Sequence, residues 1–329
     1  MAQLVDKFGR EVTYLRMSVT DRCDFRCVYC MSENMTFLPR AQVLTLEELA
    51  TIGRAFVDLG VEKIRLTGGE PLTRHNVMRL VNELGHLEAL DELTLTTNGG
   101  RLEQMAADLQ RAGVRRINVS LDSLQANKFL QLTRVGDLNK VLRGIDAAQA
   151  AGFEKIKLIA VILKNRNDDE VMNLLEFALD RGLDISYIEE MPLGQIDEHD
   201  RATAFCSSQE LRDIISEKYS ILETAEKTGG PSRYWRINGY QSKVGFISPE
   251  SENFCGSCNR VRLTVEGRLL LCLGNEHSVD LRQVIRRYPG DDQALREAIV
   301  AAMEIKPERH YFDSSDEPQI LRFMNTTGG

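Results

Sequence analysis

The sequence predicts an α/β fold whose core is a partial (βα)6 TIM-like barrel. Three observations carry that expectation. A helix-ending Gly, then an apolar residue, then a β-rich strand recurs at Gly60, Gly113, Gly152 and Gly182, in "LGVEKIRLT", "AGVRRINVSL", "AGFEKIKLIAV" and "RGLDISYI". Six such strand segments alternate with amphipathic helical ones. The alternation stops near residue 195, which divides the chain into a core, 1–195, and a C-terminal region, 196–329.

Taken in order, "YLRMSVT" (14–20) supplies the first strand. The helix before Gly60 opens on a capping box, Thr45 and Glu48, and places Leu49, Ile52, Gly53 and Phe56 on one face. Each Gly closes its helix in the left-handed conformation, and the next apolar residue packs back on the last turn. Further strands are expected at 63–67, 93–97, 116–121, 156–162 and 184–188. Beyond 195, "EMPLGQIDEHDRATAF" reads as a loop, 208–219 as a helix and 233–272 as short antiparallel strands. One helix (292–303) and a tail ending "MNTTGG" complete an antiparallel β/α extension expected to cover the barrel opening.

Of the 329 residues, 43% are hydrophobic and 27% charged, as in a protein with a sizeable core. A net charge of -8 and a pI near 5.4 argue against general nucleic-acid affinity, though an anion could still bind where basic residues gather. The charged N-terminus lacks a secretory core, and no apolar run reaches the roughly 18 residues of a membrane span. A cytoplasmic protein is expected, with reduced thiols. Its seven cysteines then suggest metal or redox chemistry sooner than disulfides.

Six of the cysteines form two triplets, Cys23/Cys27/Cys30 and Cys255/Cys258/Cys272; Cys206 stands apart and reads as incidental. Thiolates select zinc or iron–sulfur clusters. Neither triplet offers the four local ligands of a structural zinc site, and the five histidines show no ligand spacing. Three thiolates on a four-iron cluster leave one iron open, which catalysis needs. A zinc ion held by four of the six, or simple buried thiols, is the plainer alternative.

"CDFRCVYC" (23–30), with an aromatic before the third cysteine, resembles the signature of radical S-adenosylmethionine enzymes, and "LTGGEP" (66–71) resembles their glycine-rich loop. "GFISPESENFCGSCNRVRLTVEGRLLLCL", "YIEEMPLG" and the terminal Gly328–Gly329 resemble one branch of that superfamily, the GTP cyclases that begin molybdenum cofactor (molybdopterin) biosynthesis. The likeness spans essentially the whole chain. Ser32 stands where that family usually has Pro, and Glu190 where an aromatic is common.

The resemblance implies two 4Fe–4S clusters, one on each triplet. The open iron of the first would bind S-adenosyl-L-methionine, with Tyr29, Gly69, Ser120 and Met191 along that cofactor. The open iron of the second would face GTP, whose ligands by family match are Arg16, Arg65, Thr96, Lys157, Arg260, Val261 and Arg262. Arg16, Lys157, Gly328 and Gly329 are the implied catalytic positions. The implied activity is a lyase reaction: a 5′-deoxyadenosyl radical abstracts hydrogen from C3′ of GTP, and C3′ joins C8 to give 3′,8-cyclo-7,8-dihydro-GTP. A cyclic pyranopterin monophosphate synthase downstream, a reductase or flavodoxin-type electron donor and a homodimer are implied as well.

Strand geometry adds one demand. Arg260 and Arg262 alternate onto the face of Cys258. A two-residue hairpin at Glu266–Gly267 would put Cys272 on the opposite face. A three-residue loop, Val265 to Gly267 with a glycine bulge, pairs Arg260 with Cys272 and brings all of them to one side. The three-residue loop is therefore predicted. Two rivals remain open: a radical enzyme that modifies peptides through an auxiliary cluster, and a non-enzymatic zinc protein.

Overall fold

A computed structural model describes every residue except 1–2, 195, 197–198, 227, 253, 311, 313–319 and 329. Six strands, β1 (Tyr14–Ser18), β2 (Lys63–Thr67), β3 (Glu92–Thr97), β4 (Val114–Ser120), β5 (Lys155–Val161) and β6 (Asp184–Ile188), lie side by side in chain order, all parallel. Each falls within two residues of its sequence expectation. Helices Leu46–Asp58, Val77–Gly85, Leu102–Arg111, Leu138–Ala151 and Val171–Asp180 make the crossovers, with Ala126–Thr133 added before the fourth. The capping box at Thr45 and Glu48 forms as predicted. Gly60, Gly113, Gly152 and Gly182 all have positive φ, between 68° and 92°.

The two faces of this sheet differ in kind. Leu15, Met17, Ile64, Leu66, Leu93, Leu95, Ile117, Val119, Leu158, Ile185 and Tyr187 alternate onto the face that joins the helices in one apolar core. Residues of the opposite parity are polar on the first three strands and on the fourth past the register shift at its start, and the pairing lines them up in rows across strands. Parallel pairing sets Arg16 beside Arg65, and Arg65 beside Thr94. The chain thus keeps a row of cations on the face away from the helices.

The C-terminal region corrects one expectation. Six further strands, β7 (Ile221–Glu223), β8 (Arg233–Ile237), β9 (Lys243–Ile247), β10 (Arg260–Leu263), β11 (Arg268–Leu270) and β12 (Ser278–Asp280), do not make a separate antiparallel layer. They extend the same sheet in the order β12-β11-β10-β1-β2-β3-β4-β5-β6-β9-β8-β7. β10 runs parallel to β1 and β9 parallel to β6; only β7–β8–β9 and β10–β11–β12 pair antiparallel. The free edges of β1 and β6 carry unpaired backbone groups, and these strands satisfy them. Arg16 on β1, Ile188 at the end of β6 and Ile247 on β9 line one cavity, so the sheet curls until its two sides face each other.

The final stretch holds more helix than the one segment predicted. Besides Asp292–Ala302, helices form at Leu281–Arg287 and Met324–Thr327. The first is capped by Asp280, whose carboxylate accepts from Gln283 N, and carries Arg286 and Arg287 in its last turn. The "RATA" of the expected loop is also one helical turn, capped by Asp200. Among the described residues no helix is long and apolar enough to cross a membrane.

Candidate active site

The six parallel strands all end at one cavity. The loop after β1 brings Cys23, Cys27 and Cys30 to it, with Tyr29 beside them. Gly68 and Gly69 arrive from β2, Thr96 and Asn98 from β3, Ser120 and Asp122 from β4, and Met191 from beyond β6. The cysteine loop is fixed by its backbone: Arg26 N donates to Thr133 O at 3.0 Å and Val28 N to Leu132 O at 2.9 Å. All residues expected to contact S-adenosylmethionine line this cavity.

Asp122 was not foreseen. Its Oδ2 accepts from the Tyr29 hydroxyl at 2.7 Å and its Oδ1 from Val161 N at 2.9 Å. Burial pushes the carboxyl up to about 6, against the pull of those two hydrogen bonds. Burial also pushes the three thiols up, and neighbouring carboxylates add to the rise: Glu70 at Cys23, Asp122 at Cys27 and Cys30. The first triplet therefore sits in a setting that is neutral to acidic.

The second triplet forms around the hairpin of β10 and β11. Arg262 faces Leu270 and Leu263 faces Leu269, a register that sets Arg260 opposite Cys272. Thr264 N donates to Arg268 O at 2.9 Å, leaving a three-residue loop, and Gly267 closes it at φ 88°. This is the predicted loop. Cys255, Cys258 and Cys272 line a second cavity with Arg16, Arg260, Arg262 and His310. Ile188, Met191 and Met324 line both cavities, so the two share a wall.

Cations dominate this second cavity. Arg262 lies between Arg16 and Leu270 in register, and its Nη1 donates to the carbonyl of Gly328 at 2.6 Å. Burial lowers the Arg16 guanidinium to about 10, and Arg65 and Arg260 crowd it further. Burial would raise the Cys258 thiol, but Arg260 and Lys306 outweigh it and hold the thiol below its usual range. Lys306, from the stretch after Asp292–Ala302, is 1% exposed. Neither ring nitrogen of buried His310 has a partner among the described residues. The histidine nearest either triplet in sequence is His277, five residues past Cys272, yet the fold brings in His310 from 38 residues beyond Cys272.

The expected GTP ligands divide into two groups. Arg16, Arg260 and Arg262 line the second cavity and Thr96 the first. Val261 borders the second cavity, but its side chain alternates into the apolar core, so it can offer a ligand only its backbone. Arg65 and Lys157 are not brought into the lining of either cavity. Arg65 Nε donates to Tyr14 Oη at 2.5 Å and its Nη1 to Thr96 Oγ1 at 3.2 Å, while Lys157 Nζ donates to Tyr234 Oη at 2.9 Å. Burial would raise the Tyr14 phenol; Arg65, Arg16 and Lys63 outweigh it and bring it down to about 7. Gly328 is placed against Thr67, and Gly329 lies outside the described residues. Cys206 is buried in the main core and is not among the residues that line either cavity.

The donor sets fit iron–sulfur clusters. All six cysteines are free thiols. Among the described residues no three His, Cys, Asp or Glu side chains converge as one metal ion requires. Ligands of one zinc ion all lie about 2.3 Å from it, whereas a cluster takes each thiolate on a different iron. Three thiols lining each cavity suit the second arrangement.

Residues 17–178 match the radical SAM superfamily, and residues 183–312 match the family described as Molybdenum Cofactor Synthesis C. A protein of Marinobacter nauticus named GTP 3′,8-cyclase is 61% identical over 99% of both chains. Its namesake in Saccharophagus degradans is 60% identical over 99% of this chain and 98% of its own. Among solved structures, Streptococcus suis SuiB bound to S-adenosylmethionine superposes with a TM-score of 0.65, covering 97% of this chain and 79% of that one at 14% identity, a likeness of fold alone. With identity of this order along its full length, the chain belongs to the GTP 3′,8-cyclase family of the radical SAM superfamily.

Proposed function

We propose that the chain converts GTP to 3′,8-cyclo-7,8-dihydro-GTP, the first step of molybdenum cofactor biosynthesis. One observation carries the reading: two cysteine triplets open onto cavities with a common wall, and an arginine row lies on the second. Cys23, Cys27 and Cys30 would hold one 4Fe–4S cluster and Cys255, Cys258 and Cys272 another. When bound, the first cluster with S-adenosylmethionine supplies the 5′-deoxyadenosyl radical.

The chain's own part is binding, orientation and exclusion of water. Tyr29, held by Asp122, and Gly69 would flank the S-adenosylmethionine, with Ser120 and Met191 further along it. Arg16, Arg260 and Arg262 would take the anionic nucleotide, since a buried cation row concentrates negative charge in a low-dielectric cleft. Arg65 and Lys157 lie on the same face of the sheet, where the tyrosines Tyr14 and Tyr234 hold them. Gly328, fixed through Arg262, would bring the terminal Gly329 toward the nucleotide. The curled sheet is read as a partial barrel, core 1–195, with region 196–329 spanning its open side. A flavodoxin-type donor, a cyclic pyranopterin monophosphate synthase downstream and a homodimer belong to the same proposal.

Anaerobic reconstitution with iron and sulfide, then dithionite, S-adenosylmethionine and GTP, tests it. Formation of 5′-deoxyadenosine in step with GTP consumption is expected. Deoxyadenosine without GTP loss would leave the radical fold and remove the substrate. Colourless protein holding zinc would remove both.

A further inference from the structure

We infer that Lys306 is the fixed counter-charge of the second cluster, a positioning residue that holds its thiolates and raises its reduction potential. The inference rests on the cluster assignment above and goes beyond it, to a residue outside the cysteine motif.

Three observations carry it. First, the ammonium spends its three donors around the cysteines. Nζ donates to Leu271 O at 2.7 Å, to Arg260 O at 3.1 Å and to Cys258 Sγ at 3.8 Å. Leu271 immediately precedes Cys272, and Arg260 lies two residues after Cys258. One side chain thus ties together the two strand segments that carry two of the three thiols. Three acceptors match the three protons of an ammonium; a neutral amine has two.

Second, no acid among the described residues balances the charge. Among the described residues no carboxylate forms an ion pair with Lys306, although it is 1% exposed. The described residues that line the cavity include Arg16, Arg260 and Arg262 but no acid. An uncompensated buried charge costs several kcal/mol even after relaxation. A cluster on three thiolates is anionic in both oxidation states, and it is the compensation the cavity calls for.

Third, among the described residues no cation donates to a sulfur of the first triplet. Arg26 Nη1 donates there to the Cys23 carbonyl at 2.6 Å, whereas the side chain that reaches a sulfur is the Asn98 amide, 3.9 Å from Cys23 Sγ, and the charges acting on the thiols are carboxylates. A cation beside a cluster favours the extra negative charge of the reduced state. The second cluster should therefore accept an electron more readily than it would beside a neutral side chain.

The test uses the full chain with Cys23, Cys27 and Cys30 changed to Ala, so that iron bound there reports the second site alone. Lys306→Arg keeps the charge, Lys306→Gln keeps a donor without the charge, and Lys306→Met keeps neither. Iron content and redox titration followed by electron paramagnetic resonance are the readouts. In the Gln and Met variants the reduction equilibrium should fall by at least tenfold, 59 mV for one electron, while Arg stays near the parent. A Gln variant with the parent's potential would overturn the inference, because a brace for two carbonyls would then suffice. A parent that binds no iron overturns the cluster assignment itself, a distinct result. Should every Lys306 variant fail to fold, pulsed resonance on the reduced parent labelled with ¹⁵N-lysine decides. Coupling to a lysine nitrogen supports the assignment, and its absence overturns it.

Discussion

The charge acting most strongly on the thiols of Cys27 and Cys30 is the carboxyl of Asp122; on Cys258 it is the guanidinium of Arg260, then the ammonium of Lys306. Both sites offer three thiols and share a wall, yet their electrostatics are opposed. The difference follows the charge of what each is proposed to bind. S-adenosylmethionine carries a sulfonium, which neighbouring carboxylates favour. GTP carries several negative charges, which the arginine row favours. A common cysteine count therefore says little about ligand preference, and the neighbouring charges say much more.

Substitutions in the cysteines should break this contrast most sharply. Cys27→Ala should abolish deoxyadenosine formation, whereas Cys272→Ala should preserve it and abolish the cyclised product. Each variant should hold about four irons per chain where the parent holds about eight. Iron assay and chromatography of both products check it. Arg262→Ala, which loses a charged ligand and the Gly328 tether, should lower kcat/KM for GTP by roughly 10²-fold, about 2–3 kcal/mol. Uncoupled cleavage of S-adenosylmethionine should change little. Gly328→Ala should be milder, roughly tenfold or about 1.4 kcal/mol in kcat/KM. A Cβ there would lie 2.2 Å from Thr67 Cγ2, on a backbone with φ 75°.

Asp122 sharpens the first side of the comparison through pH. Burial raises its carboxyl from 3.8 to about 6, so the folded chain holds that proton more tightly than the unfolded one. Its contribution to stability is complete at low pH and is lost as pH rises toward 6. Between about pH 5 and 6 the wild type should lose roughly 1 kcal/mol relative to Asp122→Asn, and the difference should level off above about pH 6.5. Urea midpoints of the two proteins, compared at each pH, cancel the other carboxylates. Cys206→Ala should do least: no change in iron, and a stability loss of about 1–2 kcal/mol from a buried core position.

The six-strand core was legible because its physics is local. Gly at each helix end and the alternation of Leu15, Met17, Ile64 and Leu66 with Arg16 and Arg65 are visible within one repeat. The β10–β11 hairpin was legible for the same reason: face parity and one Gly decide it. What could not be read is pairing at long range. β10 joins β1 across 246 residues, and no local pattern says which edge a short strand will satisfy. The site residues missed share this cause. Asp122 meets Tyr29 across 93 residues, and Lys306 meets Cys258 across 48. Asp122, two residues beyond Ser120 at a strand's end, gave some signal; "IKPERH" gave none.

The division of labour between the two triplets is tested most directly by magnetic resonance of two reduced variants. One keeps only Cys23, Cys27 and Cys30, and the other keeps only Cys255, Cys258 and Cys272. The account predicts that S-adenosylmethionine shifts the spectrum of the first and leaves the second unchanged, and that GTP does the reverse. Spectra that respond to both ligands at one triplet, or to neither at the other, would contradict it.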